Sequence, residues 1–144
     1  MVSPYMDNIT GQSPLRVIPL GGLGEIGLNM MAMEYDDSII VIDCGLMFPE
    51  DYMLGIDIVI PDITYLKENR EKVKAFLITH GHEDHTGALP FVLRDIKVPI
   101  YGTALTLGLI KKKLEEYNLD KETEFITVKP RGHVSIGPFD IEFI

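Results

Sequence analysis

Three of the four histidines of this 144-residue chain lie in one six-residue segment, HGHEDH. Neutral imidazole and carboxylate are ligand types that zinc and manganese favour. Burying these groups without partners would be costly, and an ordinary surface loop gives no reason for such close spacing. The segment therefore predicts a metal site, and its candidate ligands are His80, His82, Asp84 and His85.

The spacing of these residues allows two metals rather than one. His80 and His82 are two residues apart, so both side chains can point the same way from extended backbone. Asp84 and His85 follow after the chain turns, and they can face a second metal nearby. Two metals roughly 3.5–4 Å apart suit phosphate-ester hydrolysis by an activated hydroxide. Asp84 and His85 are also the candidate catalytic residues, with Asp84 as a proton acceptor from water.

Strands and helices alternate around this segment, which indicates an α/β protein. Such proteins place their sites at the carboxyl edge of the sheet, and HGHEDH directly follows an apolar strand. The patterns predict strands over 16–20, 29–35, 38–43, 75–79, 98–102, 124–128 and 139–144, and helices over 62–74, 87–95 and 103–117. Asp62 is the predicted N-cap of the first helix, and Val73 is predicted to lie on its inward face.

A glycine-rich segment after the first strand offers a competing interpretation. It spells G-x-G-x-x-G, and Asp43 ends the next apolar run, as in a dinucleotide fingerprint. That fingerprint needs a helix after the glycines, whereas NMMAMEY and SIIVID suggest a hairpin turning at 36–37. A tight turn beside the site is therefore favoured over nucleotide binding. The turn spans 21–29 and includes Gly22, Gly24, Glu25, Gly27 and Asn29.

Composition limits the remaining functions. The net charge of −9 argues against a general nucleic-acid binder. The one cysteine, Cys44, excludes a disulfide framework and is predicted to be a buried apolar residue. The Lys111–Lys113 run is interpreted as a solvated helix face, with a phosphate contact as the alternative. His133 stands in a Pro/Gly loop, where a ligand or RNA contact is the minor alternative. No membrane-length apolar run or secretory signal is found, so a cytoplasmic protein is expected.

Four segments carry a resemblance to a known family. THGHEDHTG resembles the H-x-H-x-D-H signature of the metallo-β-lactamase superfamily. PLGGLGEIGLNM, VIDCGLMFPEDYMLGIDIVIPDITYL and VPIYGTALTLGLIKKKL are similar to the front part of the bacterial ribonuclease J family. The resemblance implies the N-terminal half of an αβ/βα sandwich. It also implies 5′→3′ exonuclease and endonuclease activity on RNA with a 5′-monophosphate end, and homo-oligomers in the full-length form.

The resemblance also assigns roles within the site. His80 and His82 would bind one divalent metal, while Asp84 and His85 would bind the other. Zinc is the favoured metal, with manganese or magnesium as alternatives. Asp43 would support the metal loop from behind, and the glycine turn would lie beside it. Residues 1–14 would be a flexible lead-in, and 15–144 a partial domain that stops before the family's downstream ligands, so the isolated chain is expected to be inactive.

Two further hypotheses stay open at this stage. The chain could be a non-catalytic fragment or scaffold piece, which the missing downstream ligands would favour. It could also be another metallo-β-lactamase-type hydrolase, because H-x-H-x-D-H serves thioester, lactam and small phosphodiester substrates as well. Only the flanking segments favour RNA over these.

Overall fold

The computed structural model describes residues 13–144, so positions 1–12 of the predicted lead-in lie outside the described residues. The strands are β1 (Arg16–Gly21), β2 (Met30–Tyr35), β3 (Ser38–Ile42), β4 (Val73–Leu77), β5 (Ile100–Gly102), β6 (Phe125–Thr127), β7 (His133–Ile136) and β8 (Phe139–Glu142). The helices are α1 (Thr64–Glu68), α2 (Glu83–Thr86), α3 (Leu89–Val92) and α4 (Ala104–Glu116), and a 3-10 turn spans Arg70–Lys72. The predicted α/β class is confirmed.

Six strands form one sheet in the order β1-β2-β3-β4-β5-β6. The pairs β1–β2 and β2–β3 are antiparallel, and the pairs from β3 to β6 are parallel. The predicted hairpin is confirmed, with Tyr35 opposite Ser38 across its turn. Because β3 and β4 end at the same edge where β2 begins, three connections meet there. This edge carries the histidine segment.

Strand β3 is buried on both faces of the sheet, which explains its continuous apolar sequence. Successive side chains of a strand point to opposite faces. Ile39 and Val41 accordingly pack into the core beneath the helices. Ile40 and Ile42 face the opposite side, where they meet a smaller cluster. The sheet is thus the middle of three layers.

The third layer is the two-stranded antiparallel sheet of β7 and β8. The predicted alternation of the last strand is confirmed, because Phe139, Ile141 and Phe143 pack against the smaller cluster. The interpretation of His133 as a loop residue was wrong, since it begins β7 opposite Glu142. The strand forms by pairing with β8 across a tight hairpin, and the Pro/Gly residues before it obscured the pattern.

The helix predicted over 62–74 was too long. The Asp62 side chain accepts a hydrogen bond from the Thr64 backbone N–H at 2.9 Å, and the hydrogen bonds from Thr64 lower the pKa of Asp62. At the other end, Asn69 Nδ2 donates to the Tyr65 carbonyl at 2.9 Å, at the last turn of α1. Val73, predicted on the helix, belongs to β4 instead. Parallel pairing with β3 therefore overrides helical periodicity here.

Helix α4 lies on the sheet through one apolar face, as predicted. Thr103 caps it, and the buried side chains include Leu107, Ile110 and Leu114. None of the helices in residues 13–144 is long and apolar enough to cross a membrane.

A buried carboxylate ties the outer antiparallel strands to α1. Glu34 in β2 is only 3% exposed. The Tyr65 hydroxyl lies 2.9 Å from both carboxylate oxygens, and Arg16 Nη1 lies 3.2 Å from one of them. Burial, followed by the hydrogen bond to Glu34, raises the pKa of Tyr65.

We predict that Tyr65→Phe lowers the free energy of unfolding by about 1–3 kcal/mol, because the buried Glu34 carboxylate loses a donor. Urea unfolding measures the change, and Tyr52→Phe, an exposed tyrosine, is the matched control. Since the Tyr65 pKa is raised on folding, its contribution is complete below about pH 10 and is lost as the pH rises further. Equal stability of the two variants would contradict this role.

Candidate metal centre

The three clustered histidines converge at the carboxyl edge of the sheet, as the sequence predicts. His80 and His82 follow β4 in extended connecting chain, and His85 projects from α2. The ring centroids of His80 and His82 lie 4.6 Å apart. Those of His80 and His85 lie 4.1 Å apart. The short α2 turn therefore brings the third imidazole back onto the first two.

Asp43 forms the base of this cluster. It follows β3 directly, has a φ of 60°, and is 5% exposed. His85 Nδ1 lies 2.7 Å from one carboxylate oxygen, and the Thr79 backbone N–H donates to the other at 2.8 Å. The Thr79 hydroxyl donates to the same carboxylate, 2.8 Å from Oδ2. One buried side chain thus holds both ends of the HGHEDH segment, which is called the histidine loop below.

These bonds select the ring nitrogens that remain available to a metal. Nδ1–H of His85 donates to Asp43, which leaves the lone pair on Nε2. The Thr79 hydroxyl hydrogen is directed to Asp43, so its oxygen accepts from His80 Nδ1 at 3.0 Å. His80 then also keeps its lone pair on Nε2. This donor set fits a divalent metal, because both imidazoles are fixed in the tautomer that a ligand needs.

Asn29 connects the glycine turn to the acidic part of the loop. Its Nδ2 donates to the Asp84 carbonyl at 3.0 Å and lies 3.3 Å from the Asp84 carboxylate. The same nitrogen lies 3.4 Å from His85 Nε2. The amide therefore holds Asp84 close to His85, whose Nε2 lies 3.5 Å from the Asp84 carboxylate.

A layer of backbone hydrogen bonds fixes the histidine loop against the segment after β3. The Cys44 N–H donates to the His85 carbonyl at 2.7 Å, and the Leu46 N–H donates to the Glu83 carbonyl at 3.2 Å. Between them, a Cβ on Gly45 would lie 1.6 Å from the Asp84 carbonyl oxygen. Only glycine allows the two chains to approach this closely.

The glycine turn lies beside the site and starts no helix. Gly22, Gly24 and Gly27 all have positive φ, and β2 follows them. A Cβ on Gly22 would lie 2.8 Å from the Asn29 side-chain oxygen, so glycine permits this approach. The Glu25 carboxylate accepts a hydrogen bond from the Gly22 N–H at 3.0 Å. Without a helix, the dinucleotide interpretation loses its phosphate site.

The side chains near the turn are acidic or apolar. From Val17 to Leu66 the sequence contains no lysine, arginine or histidine. A cleft of about 530 Å³ lies between the turn and the segment after β3, and its lining includes Glu25, Glu50 and Asp84. This face has no cation to hold a phosphate backbone. Any grip on a polyanion must come from other residues.

Four donors are fewer than two complete metal centres require. Within residues 13–144, no group of three or more histidine, cysteine, aspartate or glutamate side chains has the geometry of a metal-binding cluster. Three protein ligands are usual even at an open zinc site. The four candidate ligands therefore fall short of a complete two-metal centre.

Two other predicted candidates stand apart from the ligand set. Cys44 is fully buried, and burial followed by the neighbouring Asp43 charge raises its thiol pKa far above the usual range. It is therefore a packed thiol, as predicted. His133 lies on the β7–β8 hairpin, with its Nδ1 3.6 Å from an Asp140 carboxylate oxygen. No contact of His133 with the histidine cluster is found in residues 13–144.

Thr79 and Gly45 are site residues that sequence reasoning missed. Thr79 was assigned only to the end of a strand, although its position one residue before His80 was a signal. Gly45 follows Asp43 closely and could have been noticed as a glycine beside a predicted support residue. Its partner is distant in sequence, so its role required the folded chain.

Comparison with known proteins places this chain in a family. The model of the family described as the metallo-beta-lactamase superfamily matches residues 23–142. Ribonuclease J of Helicobacter pylori (strain ATCC 700392 / 26695) is 45% identical over 141 residues, which are 97% of this chain and 20% of that protein. Ribonuclease J 2 of Staphylococcus aureus (strain MRSA252) is 54% identical over 129 residues, 90% of this chain and 23% of that protein. The chain spans about a fifth of the length of these curated relatives.

Solved structures agree on the architecture. The metallo-beta-lactamase fold protein YhfI from Bacillus subtilis superposes with a TM-score of 0.57 at 20% identity, covering 91% of this chain and 53% of that chain. A protein of unknown function from Enterococcus faecalis V583 gives a TM-score of 0.66 at 18% identity, covering 89% of this chain and 36% of that chain. Such low identities indicate a shared fold alone. The predicted metallo-β-lactamase fold is confirmed.

We predict that Gly45→Ala lowers the free energy of unfolding by about 3 kcal/mol, because its methyl group would overlap the Asp84 carbonyl. Gly108→Ala is the matched control, since a Cβ there meets no atom within 4 Å. The free energy of unfolding of that control should rise by about 0.5–1 kcal/mol, because alanine is more stable than glycine in a helix interior. Urea unfolding of both variants decides, and equal stabilities would refute the close approach at Gly45.

Proposed function

The chain belongs to the metallo-β-lactamase superfamily, and from that premise we propose that it supplies the metal-binding loop of a ribonuclease. The proposed enzyme hydrolyses RNA phosphodiesters, as a 5′→3′ exonuclease on 5′-monophosphate ends and as an endonuclease. The observation that carries the proposal is the buried Asp43 carboxylate, which orients His85 directly and His80 through Thr79. The similarity to ribonuclease J over nearly the whole chain supports RNA as the substrate.

Each residue of the loop has a defined task in this proposal. His80 and His82 hold one divalent metal, and Asp84 and His85 hold the other. When bound, two such metals supply an activated water and positive charge for the phosphoryl oxygens. Zinc is the proposed ion, with manganese or magnesium as alternatives. Asp84 also accepts a proton from water in this proposal, since its carboxylate lies 3.5 Å from Nε2 of His85, on the side of the ring away from Asp43.

The supporting residues act by orientation. Asp43 accepts from His85 and Thr79, so the Nδ1 atoms of both histidines are engaged, His85 directly and His80 through Thr79. Asn29 keeps Asp84 near His85. Because these groups are held by buried or backbone bonds, the loop is arranged before any metal arrives. Such preorganisation reduces the cost of assembling a site.

We further propose that the centre is completed by donors outside residues 13–144, because two protein ligands per metal fall short of the usual three. RNA contacts would also come largely from elsewhere, as the face around the glycine turn is acidic and apolar. In this proposal the enzyme is cytoplasmic and homo-oligomeric, and the isolated chain is inactive.

A second candidate is a non-catalytic scaffold role for the chain itself. The lack of a complete metal-binding cluster in residues 13–144 favours it. The cleavage experiment that follows distinguishes this role from the enzymatic one.

We expect His80→Ala and Asp84→Ala each to reduce RNA cleavage at least about a hundredfold in a protein of ribonuclease J length that carries this chain. Loss of a ligand should exceed the 10–100-fold effect of losing a residue that merely supports one. The assay follows 5′-monophosphorylated RNA, with circular dichroism to check folding. The His133→Ala variant, which removes the histidine outside HGHEDH, should cleave the RNA as fast as the parent. Full activity of both loop variants would refute the ribonuclease assignment.

We expect the 144-residue chain to retain well below about two metals after dialysis against zinc and manganese, because it offers four donors. Elemental mass spectrometry measures the metal per chain, and His82→Ala gives the background. About two tightly held metals per parental chain would contradict the need for further donors.

A further inference from the structure

Helix α4 reaches across to the histidine loop through a single ion pair. Lys113 Nζ lies 2.6 Å from each carboxylate oxygen of Glu83. Glu83 occupies the variable position of HGHEDH, between His82 and Asp84. Among residues 13–144, this is the only side-chain hydrogen bond between α4 and the loop. The third lysine of the Lys111–Lys113 run is therefore engaged with the site, while the first two are exposed.

Apolar side chains do not fill the space between α4 and the histidine loop. A Cβ on Gly81 would lie 2.7 Å from Leu109 Cδ1, so α4 touches the loop one turn before Lys113. A cavity of about 140 Å³ remains between the two, and its lining includes Gly81, Glu83, Leu109 and Lys113. The ion pair therefore bridges a gap that apolar side chains leave between the helix and the loop.

Glu83 is held from two directions. Its carbonyl accepts from the Leu46 N–H at 3.2 Å, which ties it to the segment after β3. Its carboxylate is bound to Lys113 on the opposite side. The four-residue α2 has no side-chain cap of its own, and it carries Asp84 and His85. We propose that Lys113 is a positioning residue, which holds α2 through Glu83 and so arranges the metal ligands. Its relevance to catalysis rests on the proposed function.

The geometry also explains why the pair suits this task. The Glu83 side chain is 49% exposed and that of Lys113 is 27% exposed, so water screens their attraction partly. Such a pair contributes modestly, which suits adjustment of a loop rather than support of the whole fold. Lys113 also holds the Glu83 carboxylate toward α4, away from the neighbouring candidate ligands Asp84 and His85.

Hydrogen exchange of the metal-free chain tests the positioning role directly. Lys113→Met should speed exchange of the amides in 82–88 about fivefold, while those in β3 and β4 stay unchanged. Lys112→Met, the exposed neighbour, should match the parent, and Lys113→Arg should restore protection. The difference should shrink in 1 M salt, where the Debye length is about 3 Å. Equal exchange in Lys113→Met and Lys112→Met would overturn the proposal.

Manganese titration of the same peptides separates this inference from the proposed function. In the parent, added Mn²⁺ should slow exchange in 80–86, and Lys113→Met should need about fivefold more Mn²⁺ for the same effect. A failure of Mn²⁺ to protect any variant would count against metal binding by the loop without further donors. The metal-free comparison would still decide whether Lys113 holds the loop.

Discussion

The site depends on one buried carboxylate, Asp43. A carboxylate that is almost sealed from water is stable only when donors surround it. Here the donors come from Thr79 and His85, so satisfying Asp43 also fixes the loop that carries the proposed metal ligands. Orientation of the imidazoles is therefore a consequence of solvating a buried charge with protein groups. The same contacts leave the lone pair on Nε2 in His80 and His85.

Backbone proximity forms the second constraint. The segment after β3 passes between the glycine turn and α2, donating from Cys44 and Leu46 and from Gly45 to the Asn29 carbonyl. Gly45 and Gly22 lack the Cβ atoms that would separate these chains. The histidine loop is thus held mainly by main-chain hydrogen bonds on one side. On the other side, the contact with α4 is a partly exposed ion pair.

Charge divides the molecule into regions with different roles. The part of the chain from Val17 to Leu66 has no basic residue and surrounds the site with carboxylates and apolar groups. Carboxylates near the ligands favour divalent cations and disfavour polyanions. Metal binding and RNA binding therefore make opposite electrostatic demands on this surface. An enzyme that performs both would have to keep its phosphate-binding cations away from this face.

Sequence alone determined the ligand types in HGHEDH, the hairpin before Asp43 and the strand that precedes the loop, because these follow from residue chemistry and local periodicity. It also determined the alternation of β8. Tertiary structure decided the rest. Val73 joined a strand because its partner, Ile39, is distant in sequence. His133 began a strand by pairing with Glu142 across a hairpin that the preceding Pro and Gly residues obscured. Thr79, Gly45 and Lys113 gained their roles from neighbours that only folding supplies. Local patterns specify which groups are present, whereas long-range pairing and burial decide which of them meet.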